Sequence, residues 1–515
     1  MNKISRRDFL KVAGTTLAGV LAPDPLHSLR TTNSQQPNII IILCDALSAR
    51  HLSLYGYPRW TTPFIDVFAD YATVYHQHVS GGNFTTTGTA SLLTGMFGWK
   101  HRAINQGGLV LPEFASSSPY SLLGSDYYKF AFSQNPWSER LVGQNCRHVD
   151  DFLPVTAYSL REGNLITSAF KNDRALASIA MDDFLLPIQG DTAGSSILGA
   201  LYKRKVLNSF VKDGGSNSPR YPNGIPEIRL GGYVAPYLNE DVYNGVFMEL
   251  SRLENRRSPY FAFFHLFSPH FPYNPRREFY RKFRDDYYAP PEKPVHPLSP
   301  KYKGKYLLSR RVAYDRQIAQ VDEEFGRLFD KLTRIGALEN SYLIFTSDHG
   351  ELFERGFVGH GYHFMYEPAL HVPLIIHAPG QTTRKDVHSP TSNADILPTL
   401  LHITGREIPS DLDGVVLPGL GGTADPDRPI FSVYAEDNSA FSPLKKTVIA
   451  MRKGTYKLIA YLGYESFDQV FELYDLEDDP EELLELSSRE PDVLSKLKQE
   501  FHFHLESANK PFIKK

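Results

Sequence analysis

Three stretches far apart in the chain carry residue types that could act together on an anion. Phe84–Met96 reads Phe-Thr-Thr-Thr-Gly-Thr-Ala-Ser-Leu-Leu-Thr-Gly-Met, a run of threonines and glycine feeding a small, apolar, helix-compatible segment. A helix start of this kind presents unpaired backbone N–H groups and hydroxyls, which suit a phosphate or a sulfate. Threonines also serve there simply as caps, and the stretch alone does not separate the two readings. Two carboxylates give it weight. Asp45 follows the apolar run Ile39–Leu43, and Asp348 follows Tyr342–Thr346. Asp348 and His349 form a compact pair of metal ligands or, equally, a cap beside a surface histidine. His265 and His270 follow the apolar run Tyr260–Phe264 and are candidates for acid–base work or ligand contact, with a plain structural histidine as the alternative. His360 and His363 stand in Gly-His-Gly-Tyr-His.

The elements that must position these residues follow from periodicity. Ile39–Leu43 is continuous and mostly β-branched, which predicts a buried central strand of a parallel sheet. A carboxylate at the carboxyl end of such a strand lies where open α/β sheets place their ligands. Further strands are expected at Tyr127–Phe132, Tyr260–Phe264, Tyr342–Thr346 and Val372–His377. Helices are expected at about Thr62–Asp70, at Val312–Ile335 with an apolar stripe, and at Asn393–Gly405 with glycine closing it. Residues 155–235 fit no clean alternation and are expected to form an insertion over or beside the site, with amphipathic helices at Asp173–Leu186 and Ser196–Val211. Residues 276–306 read as an exposed excursion. From about Arg428 the pattern changes to the short strands Phe431–Tyr434, Thr447–Arg452, Tyr456–Tyr461 and Phe471–Asp475, a small antiparallel sheet. The acidic stretch Glu472–Glu485 reads as solvated surface, and a last helix spans about Asp492–Glu506. The expected class is therefore α/β: a central mainly parallel sheet flanked by helices over 37–427, and an antiparallel subdomain with a helix over 428–515.

With 515 residues the chain can build a large core, and its net charge of −3 gives no electrostatic case for nucleic acid as a partner. Cys44 and Cys146 could form one disulfide, but Cys44 lies in an apolar run and is expected to be a buried free thiol. Ser5-Arg6-Arg7-Asp8-Phe9-Leu10-Lys11 matches the twin-arginine export pattern, followed by a mildly apolar segment too short for a membrane span. Residues 1–22 are thus expected to be a signal peptide read by the twin-arginine export machinery, and 23–36 a polar linker. The mature protein is expected to work in the periplasm, outside the cell or on the outer face of the cytoplasmic membrane.

Several motifs, in order, resemble the sulfatase family of the alkaline phosphatase superfamily. They are Pro37–Asp45, Leu54-Tyr-Gly-Tyr-Pro58, Thr61–Asp66, Ser91-Leu-Leu-Thr-Gly95, Ser268-Pro-His-Phe-Pro-Tyr273, Ser347-Asp-His-Gly-Glu351, Gly359-His-Gly361 and Val372–Ile376. Glu472-Leu-Tyr-Asp-Leu476 resembles the family's closing segment. The resemblance implies an alkaline phosphatase-like fold and one divalent metal ion held by Asp45, Asp348, His349 and the hydroxyl of Thr85. Thr85 falls at the nucleophile position, seven residues before Leu92. His270 falls at the histidine near the leaving group, and His360 or His363 at the rim of the anion site, His363 being taken as catalytic with Thr85 and His270. Three departures stand out. Sulfatases carry Cys or Ser, oxidised to formylglycine, where this chain has Thr85, with Pro and Arg where it has Thr87 and Thr89. A second Asp is replaced by Ala46. The Lys-x-His pair is absent near Ser133-Gln-Asn135.

A threonine hydroxyl is a poor nucleophile at neutral pH unless a bound cation lowers its pKa. The donor set suits Mn, Zn, Mg or Ca, and His349 tilts it toward a transition metal. Formylglycine releases sulfate by carbon–oxygen cleavage, which Thr85 cannot do. The expected function is therefore exported, metal-dependent hydrolysis or transfer of a phosphoester or phosphonate, with a small-molecule, glycan or lipid ester as substrate. Two alternatives are sulfate-ester hydrolysis by a direct route and a non-catalytic binding protein that keeps the fold.

Overall fold

A computed structural model describes residues 36–160, 218–230 and 235–513, apart from 285 and 466. The expected signal peptide, almost all of the linker and the two helices expected at Asp173–Leu186 and Ser196–Val211 lie outside the described residues. The sheet strands in chain order are β1 (Asn38–Cys44), β2 (Thr73–Tyr75), β3 (Tyr128–Ser133), β4 (Asp151–Leu153), β5 (Tyr260–Leu266), β6 (Ser341–Thr346), β7 (Leu374–His377) and β8 (Lys385–Val387). They form one eight-stranded sheet in the order β8-β2-β7-β6-β1-β5-β3-β4. It is mainly parallel: β6, β1, β5, β3 and β4 run together, and β7 pairs antiparallel with both of its neighbours.

The β-branched run makes β1 the centre because both of its faces can be covered. Ile40, Ile42 and Cys44 pack with helices α1 (Pro63–Ala69), α4 (Asn239–Glu254) and α5 (Gly304–Arg334). Ile39, Ile41 and Leu43 pack on the opposite face with α2 (Thr85–Thr94) and α6 (Ile396–Ile403). The remaining labelled helices are α3 (Pro136–Gly143) and α7 (Pro491–Asn509). Alternation along a strand then decides where side chains beyond its end can go. In register, Leu43 of β1 sits beside His265 of β5 and Thr346 of β6, so three strands end together.

The second sheet is antiparallel, in the order β9 (Ile430–Tyr434), β10 (Thr447–Lys453), β11 (Tyr456–Leu462) and β12 (Val470–Asp475). Leu497, Phe501 and Leu505 of α7 share its core, as does Phe84, the residue before α2. The small sheet therefore buttresses the start of the helix that carries Thr85, through the Phe84–Tyr434 ring contact at 6.0 Å.

One expectation differs from the structure. The acidic stretch Glu472–Glu485 is not all solvated surface. Glu482 is buried, because Lys457 Nζ donates to it at 2.8 Å and Glu367 N–H at 2.9 Å. The excursion at 276–306 is mostly exposed, as expected, and is anchored at Arg276, buried against Glu324 and Glu323 of α5. Both cysteines are free, Cys44 buried and Cys146 exposed.

Candidate active site and metal centre

The site forms where β1, β6 and α2 meet. Asp45 continues the face of Ile41 and Leu43, the side on which α2 packs. Ala46, directly after it, holds φ 60°, a strained conformation for a residue with a Cβ. Its N–H donates to Asp348 Oδ1 at 3.2 Å, so the turn after β1 and the turn after β6 hold one another. Helix α2 begins at Thr85 with Phe84 extended and no side-chain cap, which leaves the first-turn N–H groups without a capping side chain. Thr85 is fully buried, and its Oγ1 lies 3.3 Å from His349 Nε2.

At position 88 the packing admits only glycine. A Cβ on Gly88 would meet the Asp348 carbonyl oxygen at 2.0 Å. Close approach of α2 to the turn after β6 is therefore what brings Thr85 to Asp348. Gly88→Ala gains about 1 kcal/mol of helix propensity, but because the clash is with backbone its overpacking cost falls at the upper end of about 1–3 kcal/mol, a net loss of about 2 kcal/mol. Urea denaturation checks it: a variant as stable as the wild type would mean that the two segments separate easily.

Asp45, Asp348 and His349 place one ligand atom each within 4.8 Å of one another, all buried. His349 Nδ1 lies 2.9 Å from the Gly350 carbonyl, so Nδ1–H donates there and the Nε2 lone pair faces inward. Nε2 is 3.4 Å from Asp45 Oδ1 and 3.7 Å from Asp348 Oδ2. Those two carboxylate oxygens are buried and have no hydrogen-bond partner. Burial by itself would lower the His349 imidazole, but the Asp348 and Asp45 carboxylates push it up to about 9. Burial would likewise raise the Asp45 carboxyl, yet His270, His265 and His349 hold it well below the usual carboxylate range. The field at this point thus calls for positive charge, and orphaned buried carboxylate oxygens beside an inward lone pair fit a cation. Ligands about 2.1 Å from one tetrahedral ion stand about 3.4 Å apart, close to the separations found here.

Around this group lie the residues that could handle protons and bind an anion. Asn135, the N-cap of α3, donates from Nδ2 to Asp45 Oδ2 at 2.6 Å and reaches Thr85 Oγ1 at 3.2 Å. His360 packs on His349 with ring centroids 4.2 Å apart and on His270 at 4.8 Å. Its Nδ1 is 3.1 Å from Glu351 Oε1, a buried carboxylate that orients the ring. His270 Nδ1–H donates to the Phe271 carbonyl at 2.7 Å, and burial lowers its imidazole.

Thr85, Asp45, Asp348 and His349 are thus brought together, and His270 joins them through His360. His363 lies apart from these ring contacts, packed against Tyr434 at 5.7 Å and Tyr464 at 4.5 Å, and burial holds it down to about 4. Asn135 and Glu351 were not read from the sequence as site residues. Their only signals were a strand end followed by Asn-Pro and a Glu two residues beyond His349. His265 was read as one of two open candidates. The alternation Phe261, Phe263, His265 could have placed it on the Asp45 face.

Comparison with known proteins bears on this arrangement. The family described as Sulfatase matches residues 37–119 and 197–406, and the family described as N-sulphoglucosamine sulphohydrolase, C-terminal, matches 355–510. The chain is 32% identical to choline-sulfatase of Rhizobium meliloti (strain 1021) over 240 residues, 42% of this chain and 44% of that protein. It is 24% identical over 396 residues to an ulvan-active sulfatase of Formosa agariphila, 76% of this chain and 66% of the relative. It is 35% identical over 193 residues to an N-acetylglucosamine-6-O-sulfatase of Bacteroides thetaiotaomicron, 35% and 33% of the two chains. The matched region therefore spans less than two thirds of each of these relatives. Among solved structures, the phosphonate monoester hydrolase of Agrobacterium radiobacter superposes with a TM-score of 0.64 at 20% identity, over 93% of this chain and 96% of that one. A protein in complex with its substrate D-glucosamine-2-N,6-O-disulfate superposes with a TM-score of 0.61 at 18% identity, over 93% and 98%. These likenesses carry the fold, a mainly parallel sheet with helices and a small antiparallel sheet. With the family match covering more than half of its length, the chain belongs to the sulfatase family.

Proposed function

We propose that this protein is an exported, metal-dependent hydrolase or group transferase that cleaves a phosphoester or phosphonate, with Thr85 as nucleophile. The observation that carries the reading is the placement of a threonine hydroxyl, and no Cys or Ser, at the start of α2 beside His349 Nε2 and the Asn135 amide. Asp45, Asp348, His349 and Thr85 would hold one divalent ion, which when bound lowers the hydroxyl pKa and draws charge from the ester.

The chain's own residues supply the rest. Thr85 Oγ1, its hydroxyl proton passed to solvent water, attacks phosphorus in line, its bond to phosphorus forming as the bond to the leaving alcohol breaks. Asn135 Nδ2–H and the first-turn N–H groups of α2 bind the oxygens that gather charge. His270 is kept neutral by burial, and an incoming anion favours its protonated form, so it delivers a proton to the departing oxygen. Glu351 holds His360 against His270 and steadies the ring that makes this transfer. Water or an acceptor alcohol then attacks phosphorus, giving its proton to the now neutral His270, as the bond from phosphorus to Thr85 Oγ1 breaks and that oxygen takes a proton from solvent water. Export rests on the Arg6-Arg7 leader, and the substrate class includes small-molecule, glycan and lipid esters.

A second reading, direct sulfate-ester hydrolysis, draws on the relatives, which are named as sulfatases. Chromogenic phosphate, phosphonate and sulfate esters, each assayed with Mn²⁺ and after chelation, separate the two. Turnover of phosphorus esters that stops with chelator and returns with Mn²⁺ is expected. Turnover of the sulfate ester alone would reverse the assignment. Intact mass measurement after trapping with a slow phosphonate ester should add one phosphonyl group, located at Thr85.

A further inference from the structure

We propose that His265 is a further ligand of the cation held by Asp45, Asp348 and His349, making a site of two carboxylates and two imidazoles that selects a transition metal over Mg²⁺ or Ca²⁺. This inference rests on the metal-dependent reading above and adds a ligand and a metal class to it.

Strand alternation aims the side chain. Phe261 and Phe263 of β5 pack on the α2 face, together with Leu43 of β1, and His265 is next in that series and pairs with Leu43 in register. It therefore emerges on the same face as Asp45, one strand away. His265 is fully buried, and neither ring nitrogen has a hydrogen-bond partner. A fully buried imidazole with two idle nitrogens is rare unless something else meets it. Its Nε2 lies 3.4 Å from Asp45 Oδ2 and 3.6 Å from Asp348 Oδ2. His349 Nε2 approaches the same two carboxylates at 3.4 and 3.7 Å. Both imidazoles thus border one pair of carboxylates at nearly the same spacing, His265 on the Asp45 Oδ2 side and His349 on the Oδ1 side. His265 stands just outside the set of ligand atoms within 4.8 Å of one another, so its coordination requires the ring to draw in on the bound ion.

That spacing is too long for a charge-assisted N–H···O bond, which runs about 2.7–2.9 Å. It matches the separation of neighbouring ligands on one ion. The other Asp45 neighbour, Asn135 Nδ2, stands at ordinary hydrogen-bond distance, 2.6 Å, so the long contacts are particular to the two imidazoles. Ala46 offers the site no side-chain donor, and His265 would add a fifth ligand, beside the Thr85 hydroxyl, from the β5 side. Two imidazoles shift preference toward Mn²⁺ or Zn²⁺, since Mg²⁺ and Ca²⁺ take oxygen ligands.

The test uses the full chain, ¹⁵N-labelled at histidine, loaded with Mn²⁺ alone and examined by pulsed electron paramagnetic resonance. Two coupled histidine nitrogens are expected in the wild type and one in His265→Ala, whose Mn²⁺ dissociation constant should rise at least tenfold. Zn²⁺ should displace the Mn²⁺, and Ca²⁺ at the same concentration should not. One coupled nitrogen in the wild type overturns the assignment of His265 and leaves the metal-dependent reading standing. No bound Mn²⁺ or Zn²⁺ at all overturns both. The wild-type count decides the matter even if His265→Ala does not fold.

Discussion

Thr85→Ala is expected to lower turnover of a phosphorus ester by about 10⁴-fold or more, the scale on which removal of a covalent nucleophile falls in enzymes where residues act as a unit. The covalent adduct seen by mass measurement should vanish with it. The fold should persist. Thr85 is fully buried in the first turn of α2, alanine is the better helix former, and the change deletes one hydroxyl and one methyl. Thr85→Ser keeps the oxygen and should retain a trappable adduct, with the gap between the two variants measuring what the hydroxyl does. Activity of Thr85→Ala within tenfold of the wild type, in protein shown to hold metal, would remove the nucleophile assignment, whereas no turnover by the metal-loaded wild type would favour a binding protein that keeps the fold.

Acid should destabilise the protein through two buried histidines, and the double variant His78→Gln/His101→Gln should lose about 4 kcal/mol less than the wild type on going from pH 7.5 to pH 5. Burial holds both imidazoles down to about 3. The hydrogen bonds give the reason at His101. Its Nδ1 accepts the Ala103 N–H at 3.0 Å, so Nε2–H must face Ser91 Oγ, also at 3.0 Å, and a second proton has no place. Arg102 beside it opposes that charge as well. His78 is bonded on both nitrogens, to Thr391 Oγ1 at 2.9 Å and Asn393 Oδ1 at 2.8 Å, with His371 and Arg428 nearby.

The sign follows from where protons are bound. In the unfolded chain each ring takes up a proton below pH 6.5, while in the folded chain it stays neutral down to about 3, so stability is complete above 6.5 and falls with pH from there. The loss is about 1.4 kcal/mol per pH unit for each ring, hence about 2 kcal/mol each at pH 5. Glu139, which burial raises to about 7, works in the opposite direction over the same range. For that reason the difference between variant and wild type is the quantity to read, from urea denaturation at each pH. Parallel pH profiles for the two proteins would mean that these rings are reached by solvent protons in the folded state.

How much of this was legible in the chain varies with the range of the interaction involved. The central strand, the helix start at Thr85 and the carboxylates at Asp45 and Asp348 were all readable, because each depends on a run of neighbours. Hydrophobic continuity defines β1, and the glycine after Thr94 closes α2, with Gly95 at φ 68°. The solvated reading of Glu472–Glu485 failed because its correction lies elsewhere in the chain. Glu482 is buried by Lys457 and by a backbone group of Glu367, neither marked by any local pattern. Asn135 shows the same limit. As Asn before Pro it reads as a helix cap, and it is one, donating nothing in that role. Its side-chain N–H is spent on Asp45 and Thr85, residues 90 and 50 positions away.

By itself, then, the sequence determined the α/β class, the family and the residue type at the start of α2, since periodicity, motif order and the identity of one side chain are properties of a string. Only the tertiary structure decided which histidines stand beside Asp45 and Asp348. His265, His270, His349, His360 and His363 are alike as letters. What separates them is the pairing of β1 between β5 and β6 and the close contact of α2 with the Asp348 turn. Those packings bring His349 and His265 to the carboxylates and set His270 and His360 beside them, while His363 goes to a tyrosine pair. Ligand choice is a matter of distances of a few ångströms, and only the packed chain has distances.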